Sequence, residues 1–387
     1  MRVAIVHDWL LGMRGGERCL EVIASLFPTA DIFTLFYDSG KMTPEINAHR
    51  VVSSRLDRLP GAKSIYRHLL PIYAFGVRDL ERKIADGRYE LIISISHCVA
   101  KNVRPRKGTY HLCYCLTPAR YLWDQFEVYF GGKSYEPLVR MVAPALRRAD
   151  IRGAAAVHHF VAISEFIRQR IRSLYQRDSD VAYPPVRTDW IKVDSAPPSG
   201  GFLAVNALVP YKNTELIVRA FNRLGLPLTV IGKGPDAKKL RALGKENIRF
   251  VENVTDEELA AYYSRSKALV FAAEEDFGMV PVEIQAAGRP VICYGRGGVL
   301  ETVSATGEAP TGMYFSELST DSLCRAIEHF TVRQADFTVD NCLRQSRKFS
   351  LDCFRESFCR VLDERGIEHS GAPQQDSRAR SASGVGG

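Results

Sequence analysis

This sequence predicts an α/β protein built from two doubly wound parallel-sheet domains that face each other across a cleft. Three observations lead there. Short β-branched runs alternate with helical patterns over residues 2–163 and again over 202–293, and such alternation builds parallel sheets with helices on both faces. The Asn-Gly and Asp-Gly pairs of tight antiparallel hairpins are missing apart from Asp86-Gly87. Between the two blocks lies a seam at 184–201, with Pro184-Pro185 and then Ala196-Pro197-Pro198-Ser199-Gly200-Gly201. Proline pairs and glycines at a composition shift mark a linker.

The elements follow in order. Residues 2–6 form a short apolar run that stops at His7 and Asp8. No small-residue cleavage site comes close behind, so the run reads as a buried strand and not as a signal peptide. A helix over 16–26 puts Cys19, Leu20, Ile23 and Ala24 on one face. Strands at 31–35, 91–96, 110–114 and 157–163 complete the first block. The second block has strands at 202–207, 228–231, 248–251, 268–272 and 290–293. Its helices cover 214–224, 237–243, 256–265 and 281–287. The expected organisation is a domain over 1–185, a linker over 186–200 and a second domain over 201–347. A helix over 348–366 packs back toward the first domain, and a polar, small-residue tail over 367–387 is disordered. Ligands of doubly wound sheets bind beyond the C-terminal strand edges, and two facing domains put both sets of edges on one crevice.

Composition narrows the function classes. The chain has 387 residues, 46% hydrophobic and 25% charged, so it has enough apolar surface to fold. No run of 18 apolar residues suggests a membrane span. The nine cysteines are odd in number and include no C-x-x-C pair, as expected of reduced thiols in a cytoplasmic protein. Cys113 and Cys115 would share one strand face but lack further ligands for a metal, and His158-His159 lack them too. The net charge of +8 is uneven: residues 50–107 hold thirteen Lys/Arg against five Asp/Glu, and residues 131–177 hold nine against three. A cationic first half suits acidic lipid headgroups or a phosphorylated substrate; a merely solvated, arginine-rich surface is the other reading. Nucleic acid is disfavoured, because no basic-aromatic recognition motif is present.

Three motifs bear chemistry. Gly15-Gly16 lies between the first strand and a helix, where backbone N–H groups and the helix N-terminus attract an anion. Lys212 stands beside Asn213 and Thr214 where the first helix of the second block begins, as a cation for a pyrophosphate. Residues 274–283 read EEDFGMVPVE. There Glu275 and Glu283 flank a turn containing Phe277, Gly278 and Met279. Carboxylates accept hydrogen bonds from hydroxyls, and the turn's N–H groups donate to others, which suits a sugar or ribose. His97 and Asp8 each follow a strand. His97 can face the cleft or be a hydrogen-bonded structural histidine, and Asp8 can face the cleft or cap its loop.

The chain resembles the family 4 retaining glycosyltransferases of the two-domain GT-B fold, whose halves are Rossmann-like. The likeness rests on Glu275-x7-Glu283, Gly15-Gly16-Glu17, Ile231-Gly232-Lys233-Gly234-Pro235 and Gly297-Gly298-Val299-Leu300-Glu301 in that family's order. Residues 274–278 and Thr117-Pro118-Ala119-Arg120-Tyr121-Leu122-Trp123-Asp124 resemble mannosyltransferases of bacterial surface-polysaccharide assembly. The resemblance implies that Glu283 holds the donor ribose and that Glu275, as the catalytic carboxylate, meets sugar hydroxyls near the reaction centre. Backbone N–H groups of Phe277, Gly278 and Met279 would meet the sugar, while Gly15, Gly16 and Lys212 would hold the diphosphate. It implies a nucleotide-sugar donor, GDP-mannose in the first place, and a lipid-linked saccharide acceptor bound by the first domain. No cofactor or metal is implied, and the departing phosphate oxygen would take the acceptor proton. The expected location is cytoplasmic, peripheral on an anionic membrane surface. Two positions depart from relatives: Asn206-Ala207 replaces Ser-Arg, and Leu116 replaces a histidine. They leave open a non-catalytic nucleotide-sugar-binding scaffold.

Overall fold

The computed structural model describes residues 1–193 and 198–371. Part of the expected linker (194–197) and most of the expected tail (372–387) lie outside the described residues.

Two parallel sheets carry the fold. The first is ordered β3-β2-β1-β4-β5-β6-β7, from β1 (Val3–His7), β2 (Asp31–Thr34), β3 (Val51–Ser53), β4 (Leu91–Ser96), β5 (Tyr110–Cys115), β6 (His159–Ala162) and β7 (Ser179–Val181). The second is ordered β10-β9-β8-β11-β12-β13, from β8 (Phe202–Val205), β9 (Leu228–Ile231), β10 (Ile248–Val251), β11 (Leu269–Phe271), β12 (Val291–Tyr294) and β13 (Gly312–Phe315). Every pairing within them is parallel. The expected α/β class with two doubly wound sheets is what the chain forms.

Burial shows why these segments are strands. All five residues of β1 and all six of β4 are buried, as they must be between helical layers. Alternate residues enter opposite layers: Val3 and Ile5 join one core, Ala4 and Val6 the other. In the second sheet Phe202 and Ala204 face one layer while Leu203 faces the other. The helices Thr214–Leu224, Ala237–Leu243 and Asp256–Arg265 have the bounds that the sequence predicts. Gly225 closes the first of them in the left-handed region (φ 67°), and Thr255 with Glu258 caps the third reciprocally.

The differences are local. Strands β3, β7 and β13 were not expected. The expected strand at 157–163 shortens to His159–Ala162. The first helix begins at Gly15, so both glycines form its first turn. The helix after the Glu-rich turn begins at Met279, with Gly278 ahead of it at φ 93°.

The end of the chain returns to the first lobe. Helix Val339–Arg347 stays with the second lobe, where Gln345 donates to the carbonyls of Glu301 and Thr302. Helix Leu351–Asp363 sets Phe354 and Phe358 against the Tyr114 ring of β5, with centroids 5.6 and 5.8 Å away. Beyond it Ile367 is buried, and the Ser370 N–H donates to the Leu26 carbonyl at 3.0 Å.

Candidate functional site

In each sheet the strand order reverses beside the first strand of its lobe, and the loops leaving β1 and β8 point into one cleft of about 570 Å³. Both lobes line it. Gly15 and Gly16 come from the first lobe, and Lys212, Glu275, Phe277, Gly278 and Met279 from the second. Glu283 is not among the lining residues. It stands one turn beyond Met279 on the same helix face, where its Oε2 accepts from the Tyr263 hydroxyl at 2.7 Å. Burial pushes the Glu283 carboxyl above its usual range, and the Tyr263 bond pulls it back.

The glycine helix fits tightly. A Cβ on Gly15 would lie 2.9 Å from Met279 Sδ, across the cleft, and one on Gly16 would lie 2.8 Å from Leu116 Cδ1. The Glu17 carboxylate receives the Arg14 N–H at 3.0 Å and closes the helix start.

Lys212 ends the short turn Pro210–Lys212. Asn213, at φ 53°, ties this turn to β11 by donating to the Ala272 carbonyl at 3.0 Å. The Lys212 ammonium contacts the Glu275 carboxylate and lies over the rings of Tyr211 and Phe271. Burial, with the Arg120 guanidinium nearby, lowers its pKa to about 8, while the carboxylate of Asp276 opposes that shift.

Glu275 is held through its backbone. Its carbonyl accepts from the Gly298 N–H at 2.8 Å, and it bridges to Gly297, which is at φ 80°. A Cβ on Gly298 would lie 2.4 Å from Phe277 Cα, so only glycine lets the two turns meet. The N–H groups of Phe277, Gly278 and Met279 have no partner among the described residues. They open a helix and point donors at the cleft. The Phe277 side chain turns away and packs on Phe349 and Tyr183.

Sequence reasoning missed the contacts across the lobes. Asp276 Oδ1 accepts from Arg120 at 2.7 Å and from Arg170 at 3.2 Å, and its carbonyl accepts from the Ser164 hydroxyl at 2.6 Å. Arg170 also binds Thr117 at 2.8 Å and pairs with Asp124. Glu301 accepts the N–H groups of Glu165 (2.7 Å) and Phe166 (3.0 Å) at the start of helix Glu165–Tyr175. Asn206, 7% exposed on the cleft wall, has neither side-chain polar atom paired. The two departures, Ala207 and Leu116, also line the cleft. His97 lines it and is held by Asp8. Among the described residues no group of three His, Cys, Asp or Glu side chains is placed to hold a metal, and no helix is long and apolar enough to cross a membrane.

Comparison with known proteins bears on the fold and on the kind of sequence. Residues 192–336 match the sequence family described as Glycosyl transferases group 1. A GDP-mannose-dependent alpha-(1-6)-phosphatidylinositol monomannoside mannosyltransferase of Mycobacterium tuberculosis is 25% identical over 201 residues, 44% of this chain and 51% of that protein. The O-antigen chain mannosyltransferase RfbU of Salmonella typhimurium is 28% identical over 151 residues, 35% and 41% of the two chains. The chain thus spans about half the length of the curated relatives it matches. The Anabaena protein Alr3699/HepE, solved with UDP, superposes with a TM-score of 0.69 at 16% identity, covering 94% of this chain and 100% of its own. The architecture is that of the GT-B glycosyltransferases, two parallel-sheet lobes with a cleft between them.

Proposed function

We propose that this protein is a glycosyltransferase that moves a hexose from a nucleoside diphosphate sugar to an acceptor hydroxyl, with retention of anomeric configuration. One observation carries the reading: a glycine helix start from the first lobe and Lys212, Glu275 and the Phe277–Met279 turn from the second line one cleft at the C-terminal edges of both sheets. The Gly15–Gly16 helix start and Lys212 receive the diphosphate, whose charge grows as it departs. Glu275 and the free N–H groups of Phe277, Gly278 and Met279 receive the hexose. Glu283 receives the ribose hydroxyls. The Lys212–Glu275 contact opens when the donor enters, each partner exchanging the other for its own part of the substrate. The names of the M. tuberculosis and Salmonella relatives support mannose, GDP-mannose and a lipid-linked or polysaccharide acceptor of bacterial exopolysaccharide or lipopolysaccharide assembly.

A donor panel tests the reading. At 100 times its Kd, a ligand specific for the folded state adds about 2.7 kcal/mol of stability. GDP-mannose is expected to raise the melting temperature more than UDP- or ADP-sugars do, and no response to any of them refutes the reading. The UDP and UDP-glucose complexes of HepE make UDP-sugars the necessary controls. The excess of basic residues over 50–107 supports a cytoplasmic enzyme docked on anionic lipid. Sedimentation with acidic liposomes at physiological salt checks that, and a protein left wholly in the supernatant removes the membrane from the proposal. Ala207 and Leu116 favour a second reading, a nucleotide-sugar-binding scaffold without turnover. Release of nucleoside diphosphate from a bound donor separates the two.

A further inference from the structure

We infer that the acceptor of this enzyme carries a phosphate group, held at the mouth of the cleft by Arg14 and Arg67 of the first lobe. The inference rests on the glycosyltransferase reading and deepens it, naming a class of acceptor and two residues outside the donor-binding set.

Both arginines are exposed, and neither guanidinium is paired with a carboxylate among the described residues. Basic residues close to them in sequence are paired: Arg18 with Glu21 at 3.1 Å, and Lys63 with Asp57 at 3.5 Å. A guanidinium stays charged at every physiological pH, and an unpaired one keeps its terminal N–H groups for an incoming anion. Local structure anchors each of the two. Arg14 stands directly before the glycine helix, and its own N–H is tied to the Glu17 carboxylate at 3.0 Å. Arg67 lies in the short turn Tyr66–His68, with its guanidinium over the Tyr66 ring and its Nε donating to the Tyr66 hydroxyl at 3.0 Å. That bond leaves both terminal nitrogens of Arg67 open.

Both residues border the cleft without lining it. Arg14 precedes Gly15, which does line it. From Arg67 a run of rings leads inward: Tyr66 stands edge-on to Trp9 at 5.1 Å, and Trp9 stands edge-on at 4.5 Å to His97, part of the cleft wall. Across the cleft, burial raises the pKa of the Tyr211 hydroxyl, and the charges of Arg120, Arg67 and Arg14 oppose that rise. Arg120 is paired with Asp276, so Arg67 and Arg14 are the two uncompensated cations on this side. Inside the cleft Lys212 is the one lysine or arginine among the lining residues, and the donor diphosphate occupies it. Charge placed outside that set, on the opposite lobe, serves the other substrate. A phosphate presents several oxygens and more than one negative charge, which suits guanidiniums arriving from two separate elements.

A soluble sugar phosphate and a lipid-linked saccharide share this chemistry, and the test separates them. The whole chain is saturated with GDP or UDP, whichever raises its melting temperature more, so that the donor site is filled. It is then titrated by calorimetry with mannose 6-phosphate, octyl phosphate and octyl glucoside. The phosphate probes are expected to bind and octyl glucoside is not; tighter binding of octyl phosphate marks a lipid-linked acceptor, and tighter binding of mannose 6-phosphate a soluble one. Arg14→Met and Arg67→Met are each expected to weaken the phosphate probes about three- to tenfold, and the double variant about tenfold or more. Lysine at both positions restores part of the affinity, because the charge is kept. Stabilisation by GDP or UDP stays at the parent's value in every variant, which also shows that they fold. A parent that binds neither phosphate probe overturns the inference, and so does a double methionine variant that binds them as the parent does. An equal loss of nucleotide stabilisation overturns it too, by moving the arginines into the donor site. Sedimentation with acidic liposomes covers membrane headgroups: a double variant that loses the liposomes but keeps octyl phosphate assigns the pair to the bilayer and overturns the acceptor site. A parent that neither GDP nor UDP stabilises refutes the transferase reading itself, whatever the phosphate probes do.

Discussion

The alkaline behaviour of the site follows from Lys212. Its ammonium is buried near another cation, and its pKa falls to about 8. The charged form exists below that value and is lost above it. With a pKa of about 8 the Lys212 side chain of the free protein is mostly charged at pH 7 and mostly neutral by pH 9. If Lys212 holds the diphosphate, kcat/KM for the donor falls about tenfold over that interval, since kcat/KM reports the free enzyme. Lys212→Met removes a charge-assisted contact worth about 1.5–3 kcal/mol, roughly a ten- to hundredfold loss at pH 7. It also removes the alkaline limb. Lys212→Arg keeps the charge to higher pH and moves the limb upward. Arg120→Met takes away the neighbouring cation, so the Lys212 limb itself moves up. The assay is initial-rate nucleoside diphosphate release from pH 6.5 to 10 at donor concentrations well below KM. A limb that stays near pH 8 in Lys212→Met refutes the reasoning, and so does a flat profile in the parent.

Three further outcomes are expected. Gly298→Ala sets a Cβ 2.4 Å from Phe277 Cα and 2.5 Å from the Asp276 carbonyl, both backbone; a loss of about 1–3 kcal/mol of stability and more than tenfold of turnover should appear together by thermal melt and rate, and a neutral variant disproves the close approach. Glu301→Ala frees two N–H groups at the start of helix Glu165–Tyr175 and loosens the lobes, which small-angle scattering reads as a broader distance distribution; an unchanged profile counts against Glu301 as a tie. Tyr263→Phe removes the bond that pulls the Glu283 carboxyl down, so its pKa rises further, the carboxylate is lost at a higher pH as acid is added, and donor affinity by titration calorimetry falls earlier below pH 7; an unmoved acid limb removes Glu283 from the ribose.

How much of this was legible depends on the range of the forces involved. Strands β1, β4 and β5 are nearly or wholly buried and announce themselves as apolar runs. Strands β3 and β7 are three residues long at a sheet edge and only partly buried, so no apolar signal marks them. Helix Glu136–Ala155 contains Pro144 and leaves Leu138, Met141 and Ile151 exposed, so its apolar residues do not trace a buried face. The Glu275–Met279 turn was readable because its chemistry is local: glycine, carboxylate and helix start lie within a few residues. Asp276 was not, because one of its partners, Arg170, lies 106 residues away on another lobe. The tie between His97 and Asp8 needs the β1–β4 register before it can be seen.

The Asp276 contacts also bear on the loss of an arginine at Ala207. Asp276 is the residue after Glu275, and the first lobe holds it three ways, through Arg120, Arg170 and Ser164. The Glu275–Met279 turn is therefore placed by the opposite lobe as much as by its own sheet. Side chains this little exposed (14% for Arg120, 10% for Arg170, 16% for Asp276) sit where losing one partner of a charge pair costs about 3–5 kcal/mol. Yet Arg170 satisfies Asp276 together with Thr117 and Asp124, whereas Arg120 keeps a buried Nε with no partner. Of the two guanidiniums, Arg120 is the one whose charge already acts on Lys212. On the proposed reading, a diphosphate leaving through this cleft would find Arg120 rather than Arg170 free to turn from Asp276, since Arg170 still holds that carboxylate.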